Sequence, residues 1–481
     1  MSIVSLSFLM FLSGLIAAYY ILPKACSPYV ILVGSLYFYL QFDYKYSLFL
    51  LASIIITYFG ARLIAKAKKV SIKKLILGSV ILLNIGTLFF VKFVPYIMGL
   101  AGKVLDVSVR EISVIVPIGI SFYTLQLCGY CIDVYREKYS PEKNILKYAS
   151  FATFFPLMLQ GPISRYDQLA PTLFAGKEGK NFYDNLTSGS QLMLWGFFKK
   201  LVIADRAAVI VNMIFDNYPS YSGMTVIIAL LCYTLQIYTD FSGCVDICRG
   251  AAKTFGIEVI DNFRQPYLST SIQDFWKRWH IALSSWFRDY LYIPLGGNRK
   301  GKIRKFANLT VVFFASGLWH GVGIHYIVWG MVHAFFQIAG ALTLESKKKL
   351  CALLKIDRES EIFKWVQRII NFVLINFTWL LFRANGTVAA FKMLLSMFDF
   401  GSGKEWMSVI NMADLIIISV GAIILFIIGI YRDSGMSIRK QVSEFILPLR
   451  WALYLLLFIT VIIFGVYGPG YSGASFIYMN F

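Results

Sequence analysis

Charge is what this chain lacks. Only 15% of its 481 residues are Asp, Glu, Lys or Arg, against 58% hydrophobic and 17% aromatic residues, and the mean hydropathy is +0.66. So few charges exclude a soluble globular fold of this size and indicate a polytopic membrane protein. Acidic residues are scarcer still, 26 against 46 Lys and Arg, for a net charge of +20. That excess does not signal a nucleic-acid partner, because the basic residues lie in short loops between apolar runs and make neither a face nor a tail. No polar stretch is long enough for a soluble domain: the longest, 345–364 and 432–444, read as short amphipathic segments. Internal repeats and low-complexity linkers are lacking too.

Cysteine usage excludes a disulfide framework, since the seven cysteines are odd in number and lack secreted-domain spacing. Cys128 and Cys131 lie in an apolar run, and Cys244 and Cys248 are one helical turn apart with no nearby His or further Cys. Small buried thiols and no metal site are expected. The first apolar run, 3–22, lacks the basic start of a signal peptide and exceeds its core of about 7 to 15 residues, so it reads as a retained span.

Apolar runs fall near 3–22, 28–42, 47–65, 75–99, 113–132, 201–215, 222–241, 306–321, 324–343, 369–383, 411–430 and 451–468. A spanning helix needs about 20 residues, so some runs are short; we expect an all-α polytopic membrane protein with about 10–12 transmembrane helices in a single integral membrane domain, 1–481. Cytoplasmic loops carry the excess of Lys and Arg. The clusters at 66–74, 136–147, 299–305, 347–349 and 432–440 all come out cytoplasmic, and 216–223 and the tail after Tyr467 carry none, which places both termini outside.

Two stretches are too polar or too aromatic for simple spans: 145–162, which ends in QGPI, and 263–297, which alternates aromatics with Arg, Lys, Asp and His. Such backbone sits at membrane depth only when protein or a watered cavity surrounds it. Re-entrant or interfacial helices around a central chamber are therefore expected. Ionisable groups at that depth are costly and mark function; of the four histidines, His280 lies in the second stretch and His320 at the end of the apolar run that follows it.

His320 follows an apolar helical run that starts at a cytoplasmic edge near 303–305, and about 15 residues at roughly 1.5 Å each carry it some 22 Å inward. Position alone leaves two readings, a core histidine bonded to a backbone carbonyl or a ring facing a cavity beside Gly321 and Gly323. His280 stands among Asp274, Lys277, Arg278, Arg288 and Asp289 with Trp276, Trp279 and Trp286 nearby. A continuous helix would put Trp276, His280 and Ser284 on one face, which suits interfacial anchoring as well as chemistry. Asp240 and Asp246, at the end of an apolar helix, need partners, and Arg249 or Arg206 could serve.

The run QDFWKRWHIALSSWFRDYLYIPLGGNR, then Asn308, SGLWHG at 316–321 and WGMVH at 329–333, resembles the membrane-bound O-acyltransferase family, in particular its bacterial alginate O-acetyltransferase branch. QGPISRYDQ at 160–168, YTDFSG at 238–243 and DNFRQPYLS at 261–269 extend the likeness to 117–333, which would be the catalytic core. Two departures stand out: Ile324, His325 and Tyr326 replace the branch's usual Trp-Thr-Phe type segment, and Ala334 stands where Gly is usual.

The resemblance implies an enzyme of the bacterial cytoplasmic membrane that moves an acetyl group from cytosolic acetyl-coenzyme A towards hydroxyls of an extracytoplasmic polysaccharide. An esterase-like acyltransferase outside the membrane would be its partner, and alginate, another exopolysaccharide, cellulose or peptidoglycan could each be the acceptor. By the same resemblance His320 is catalytic and His280 important. Acyl transfer to an alcohol needs a base for the hydroxyl proton, which an imidazole supplies. It also needs donors to the oxyanion, for which backbone N–H groups, Asn308, Trp319 and His280 are candidates. Asp240 is a site-shaping residue. Arg278, Arg288, Arg299 and Lys300 are candidates for the coenzyme phosphates, with ordinary cytoplasmic-loop residues as the plain alternative. A teichoic-acid D-alanyl transferase fed by a carrier protein is a second reading, disfavoured by the PLGGNR block. A transporter or flippase is a third, disfavoured by the lack of repeated halves.

Overall fold

The computed structural model describes residues 1–105, 115–176, 181–401 and 405–467, and the C-terminal tail after Tyr467 lies outside them. Among the described residues the secondary structure is helical, with no strand. Seven helices are long and apolar enough to cross a membrane by length and composition: 44–66, 70–102, 223–254, 324–342, 361–383, 412–433 and 447–464. Several other predicted spans become helices too short to cross alone. The runs near 3–22 and 28–42 form helices of 16 and 14 residues, and the 113–132 run, whose first two residues are not described, yields 16. Proline and polar residues at their ends cut them short.

The chain forms two compact units, 1–193 with 244–260 and 194–243 with 261–481, so the 117–333 segment contributes to both. The first unit begins with α1 (Leu6–Ile21), α2 (Ser27–Leu40), α3 (Tyr44–Lys66), α4 (Val70–Leu105) and α5 (Ile120–Tyr135). Helices α3, α4 and α5 pack on one another. The aromatic-rich stretch then breaks into α6 (Ile145–Ala152) and α7 (Phe155–Met158), followed by α8 (Tyr166–Phe174), and residues 150–164 are continuously buried. Such short helices survive burial because other protein groups satisfy their polar atoms. Asn144 caps α6 by accepting from Leu146 and Lys147, the Phe155 N–H donates to Ser35 Oγ at 3.1 Å, and the Tyr148 hydroxyl donates to Thr57 Oγ1 at 2.8 Å.

Next come α9 (Phe182–Phe197), a π-helical turn over Phe198–Ala204, α10 (Asp205–Asp216) and α11 (Gly223–Thr254). In the second unit the polar, aromatic segment forms α12 (Ile272–Arg278), α13 (Ile281–Phe287) and a π-helical turn over Arg288–Tyr292. Helices α14 (Gly301–His320) and α15 (Ile324–Leu342) make a tight antiparallel hairpin against α17 (Glu361–Arg383), with the short α16 (Leu344–Leu353) between the last two. After α18 (Thr387–Ser396) and α19 (Glu405–Val409), the unit ends with α20 (Met412–Asp433), α21 (Ile438–Glu444) and α22 (Leu447–Phe464). Only 11% and 6% of the apolar windows of α20 and α22 are buried, leaving faces of the kind that lipid covers.

Candidate functional site

The site in the second unit is built on the close approach of α14 and α15. A Cβ on Gly330 would lie 2.3 Å from the Phe313 carbonyl oxygen, and one on Gly317 would lie 2.5 Å from that of Tyr326. Only glycine permits backbones to come so near. The approach drives the last turn of α14 into the rings of α15 and α17: the His320 ring lies 4.9 Å from Trp329 and 5.6 Å from Phe382, centroid to centroid. The ring is 2% exposed.

His320 has the carbonyl bond expected of a core histidine, but that bond also arms it. Its Nδ1 lies 2.6 Å from the Ser316 carbonyl oxygen one turn earlier. A carbonyl can only accept, so Nδ1 carries the proton, and in the neutral ring Nε2 keeps its lone pair. That is the tautomer a general base requires.

His280 is reached by a route different from the predicted continuous helix. Helix α12 stops at Arg278, and His280 itself takes a left-handed backbone, φ 46°, ahead of α13. Trp276, His280 and Ser284 therefore do not share a helical face. The uncommon conformation is held by Asn262, whose backbone oxygen accepts from Ile281 N–H at 3.0 Å. Its side-chain oxygen accepts from Ala282 N–H at 3.0 Å and faces His280 Nδ1 at 3.3 Å. The ring is 0% exposed, which does not suit a solvated interfacial anchor. Trp319 stands between the two imidazoles, 4.9 Å from His320 and 6.0 Å from His280. The two histidines and Trp319 are thus brought together.

Other candidates are placed elsewhere. The Asn308 amide donates to the Gly297 and Leu295 carbonyls at 3.1 and 3.4 Å, pinning the LGGN loop. It precedes His320 by about 18 Å along α14, at roughly 1.5 Å per residue, so it shapes the loop and is out of reach of an oxyanion at His320. Asp240 pairs with Lys200, whose Nζ lies 2.6 Å from Asp240 and 2.7 Å from Asp205, all three buried. Asp246 pairs with Arg249 at 3.6 Å, and Arg206 with Asp414. Arg278 is held by Asp274 at 3.0 Å and by Asp433. Burial opposes its charge, but these two carboxylates more than offset that and raise its pKa above the usual value. Arg288 pairs with Asp289 at 2.7 Å. Arg299 and Lys300 are exposed at the start of α14, the end opposite His320. His325 is half-buried, its ring 4.1 Å from that of Tyr326.

Sequence reasoning passed over Asn262, Lys200 and His333. His333 is fully buried, and Trp276 Nε1–H donates to its Nδ1 at 3.2 Å. Asn262 and His333 lie inside blocks already singled out, DNFRQPYLS and WGMVH, but nothing local distinguishes them from packing residues.

This architecture defines a helical, multi-pass membrane protein with a buried imidazole pair. Residues 141–383 match the profile of the membrane-bound O-acyltransferase family, and the chain belongs to that family. It is 38% identical over 313 residues to a probable alginate O-acetylase of Pseudomonas fluorescens, covering 65% of this chain and 60% of that protein. It is 33% identical over 393 residues to a peptidoglycan O-acetyltransferase of Helicobacter pylori, covering 76% and 73% of the two chains. A teichoic acid D-alanyltransferase of Bacillus subtilis is 29% identical over 230 residues, 45% of this chain and 57% of that one.

Proposed function

We propose that this protein is an O-acetyltransferase of the bacterial cytoplasmic membrane, taking acetyl from cytosolic acetyl-coenzyme A and passing it towards hydroxyls of an extracytoplasmic polysaccharide through a partner acyltransferase. The observation that carries this reading is the bond from His320 Nδ1 to the Ser316 carbonyl, which leaves Nε2 as a base inside the fold. Nε2 takes the hydroxyl proton as the hydroxyl oxygen attacks the thioester carbonyl; the C–S bond then breaks, and the departing thiolate takes that proton from the imidazolium. Burial excludes water that would otherwise hydrolyse the thioester. With His320 only 2% exposed, entry of the substrates requires the surrounding rings to part. Arg299 and Lys300, exposed at the start of α14, suit the coenzyme phosphates. Acetyl is favoured over D-alanyl because the relatives named for O-acetylation match more closely and over more of the chain.

The test is release of free coenzyme A from radiolabelled acetyl-coenzyme A by the purified protein, with and without candidate partner acyltransferases. Release by wild type and none by His320→Ala is expected. Equal release from both removes His320 from the mechanism, and undiminished release by His280→Ala would leave that residue a packing role.

A further inference from the structure

Helix α15 buries two polar atoms that nothing so far uses. Trp329 Nε1 and His333 Nε2 are enclosed and have no hydrogen-bond partner among the described residues, in side chains that are 1% and 0% exposed. An orphaned buried N–H costs about 1–3 kcal/mol, so two on one helix face call for an explanation. They are neighbours, four residues apart with ring centroids 5.0 Å apart.

Both atoms are donors. Indole nitrogen can only donate, which settles Trp329. The same rule applied to Trp276 fixes His333: its Nδ1 receives the Trp276 Nε1–H, so the proton of the neutral ring is on Nε2. Next to them, 4.9 Å from the Trp329 ring, stands His320 with its lone pair on Nε2. The cluster therefore offers one base and two N–H groups lacking an acceptor. A carbonyl under attack by an alcohol needs that set, because its oxygen gains negative charge while the alcohol loses a proton.

We propose that Trp329 and His333 supply the N–H donors that hold the acyl carbonyl oxygen beside His320, with Trp276 as the positioning residue that keeps the proton on His333 Nε2. The proposal rests on the acyl-transfer reading. As the new C–O bond forms and the hydroxyl proton passes to His320, the carbonyl π pair moves onto oxygen, where the two donors bind it. When the pair returns, C=O re-forms, the C–S bond breaks and the thiolate takes the proton from His320. In a buried site such donors act at low dielectric and need no reorientation.

The test uses the full chain in detergent or nanodiscs, with acetyl-coenzyme A and coenzyme A release as the readout. Trp329→Phe and His333→Phe keep a ring and remove the N–H; each should lower kcat about 10²-fold or more, with KM for acetyl-coenzyme A within about threefold. His333→Gln, which keeps a donor, should recover at least about tenfold of that loss. Where a phenylalanine variant folds poorly, the benzothiophene analogue of tryptophan at Trp329 replaces the N–H with sulfur at nearly constant shape and should show the same fall in kcat. Trp276→Phe should lower kcat less than His333→Phe. Wild-type release together with kcat within about threefold of wild type in the N–H-deficient forms overturns the donor proposal alone, as does His333→Gln behaving like His333→Phe. No release by wild type with any acceptor instead defeats the acyl-transfer reading.

Discussion

Adding one methyl group at Gly330 probes the site without touching any of its polar atoms. In Gly330→Ala the new Cβ would meet the Phe313 carbonyl oxygen at 2.3 Å and its carbon at 3.2 Å, where ordinary contact begins near 3.4 Å. Both atoms are backbone of α14, so no side chain can swing away, and the helices must separate by about 1 Å. Overpacking of this kind costs about 1–3 kcal/mol. The separation also carries Trp329 and His333, on either side of residue 330, away from His320. A misplacement of about 1 Å can lower a rate about 10²-fold. The control lies on the same helix: a Cβ on Gly340 meets nothing within 4 Å, and alanine there should stabilise α15 by up to about 1 kcal/mol. Thermal melting in detergent should therefore shift down in Gly330→Ala and up in Gly340→Ala, with coenzyme A release lost only in Gly330→Ala. If the two variants melt alike and turn over alike, the close approach of α14 and α15 is not what positions these rings.

Asn262→Ala removes the acceptor for Ala282 N–H and the partner of His280 Nδ1, two buried groups each worth about 1–3 kcal/mol when stranded. Hydrogen exchange at Ala282 should quicken and melting should fall; exchange at the wild-type rate would refute the assignment of Asn262 as the clamp on the left-handed turn. Lys200→Met removes the cation that two buried carboxylates share and should cost about 3–5 kcal/mol, seen as loss of monodisperse protein on extraction. Neutralising all three, as Lys200→Met/Asp205→Asn/Asp240→Asn, should restore much of that yield, and a single variant as stable as wild type would contradict the triad.

How much could be read from the chain alone differs by residue. His320 was legible because a helix of known rise ends at it and glycines follow, and the carbonyl that accepts from it lies on the same helix, one turn away. The setting of His280 was not, because a helical wheel assumes continuous helix, and α12 stops at Arg278 while Asn262, 18 residues before His280, accepts from Ile281 and Ala282 N–H. Of the arginines offered to Asp240 and Asp246, Arg249 does pair with Asp246, but Lys200 could not be read as a partner of Asp240 because the π-helical turn that carries it inward has no local signal.

Composition and hydropathy by themselves determined that this is a helical membrane protein, since the cost of placing a residue in lipid is a local property that sums along the chain. The motif blocks likewise carried the family. Only the tertiary structure decided which proton His333 keeps and which N–H groups are left without acceptors. Those outcomes depend on atoms such as Trp276 Nε1 and His333 Nδ1, 57 residues apart, meeting at 3.2 Å. Hydrogen bonding acts over one atomic contact, and no count of residues along a sequence contains that distance.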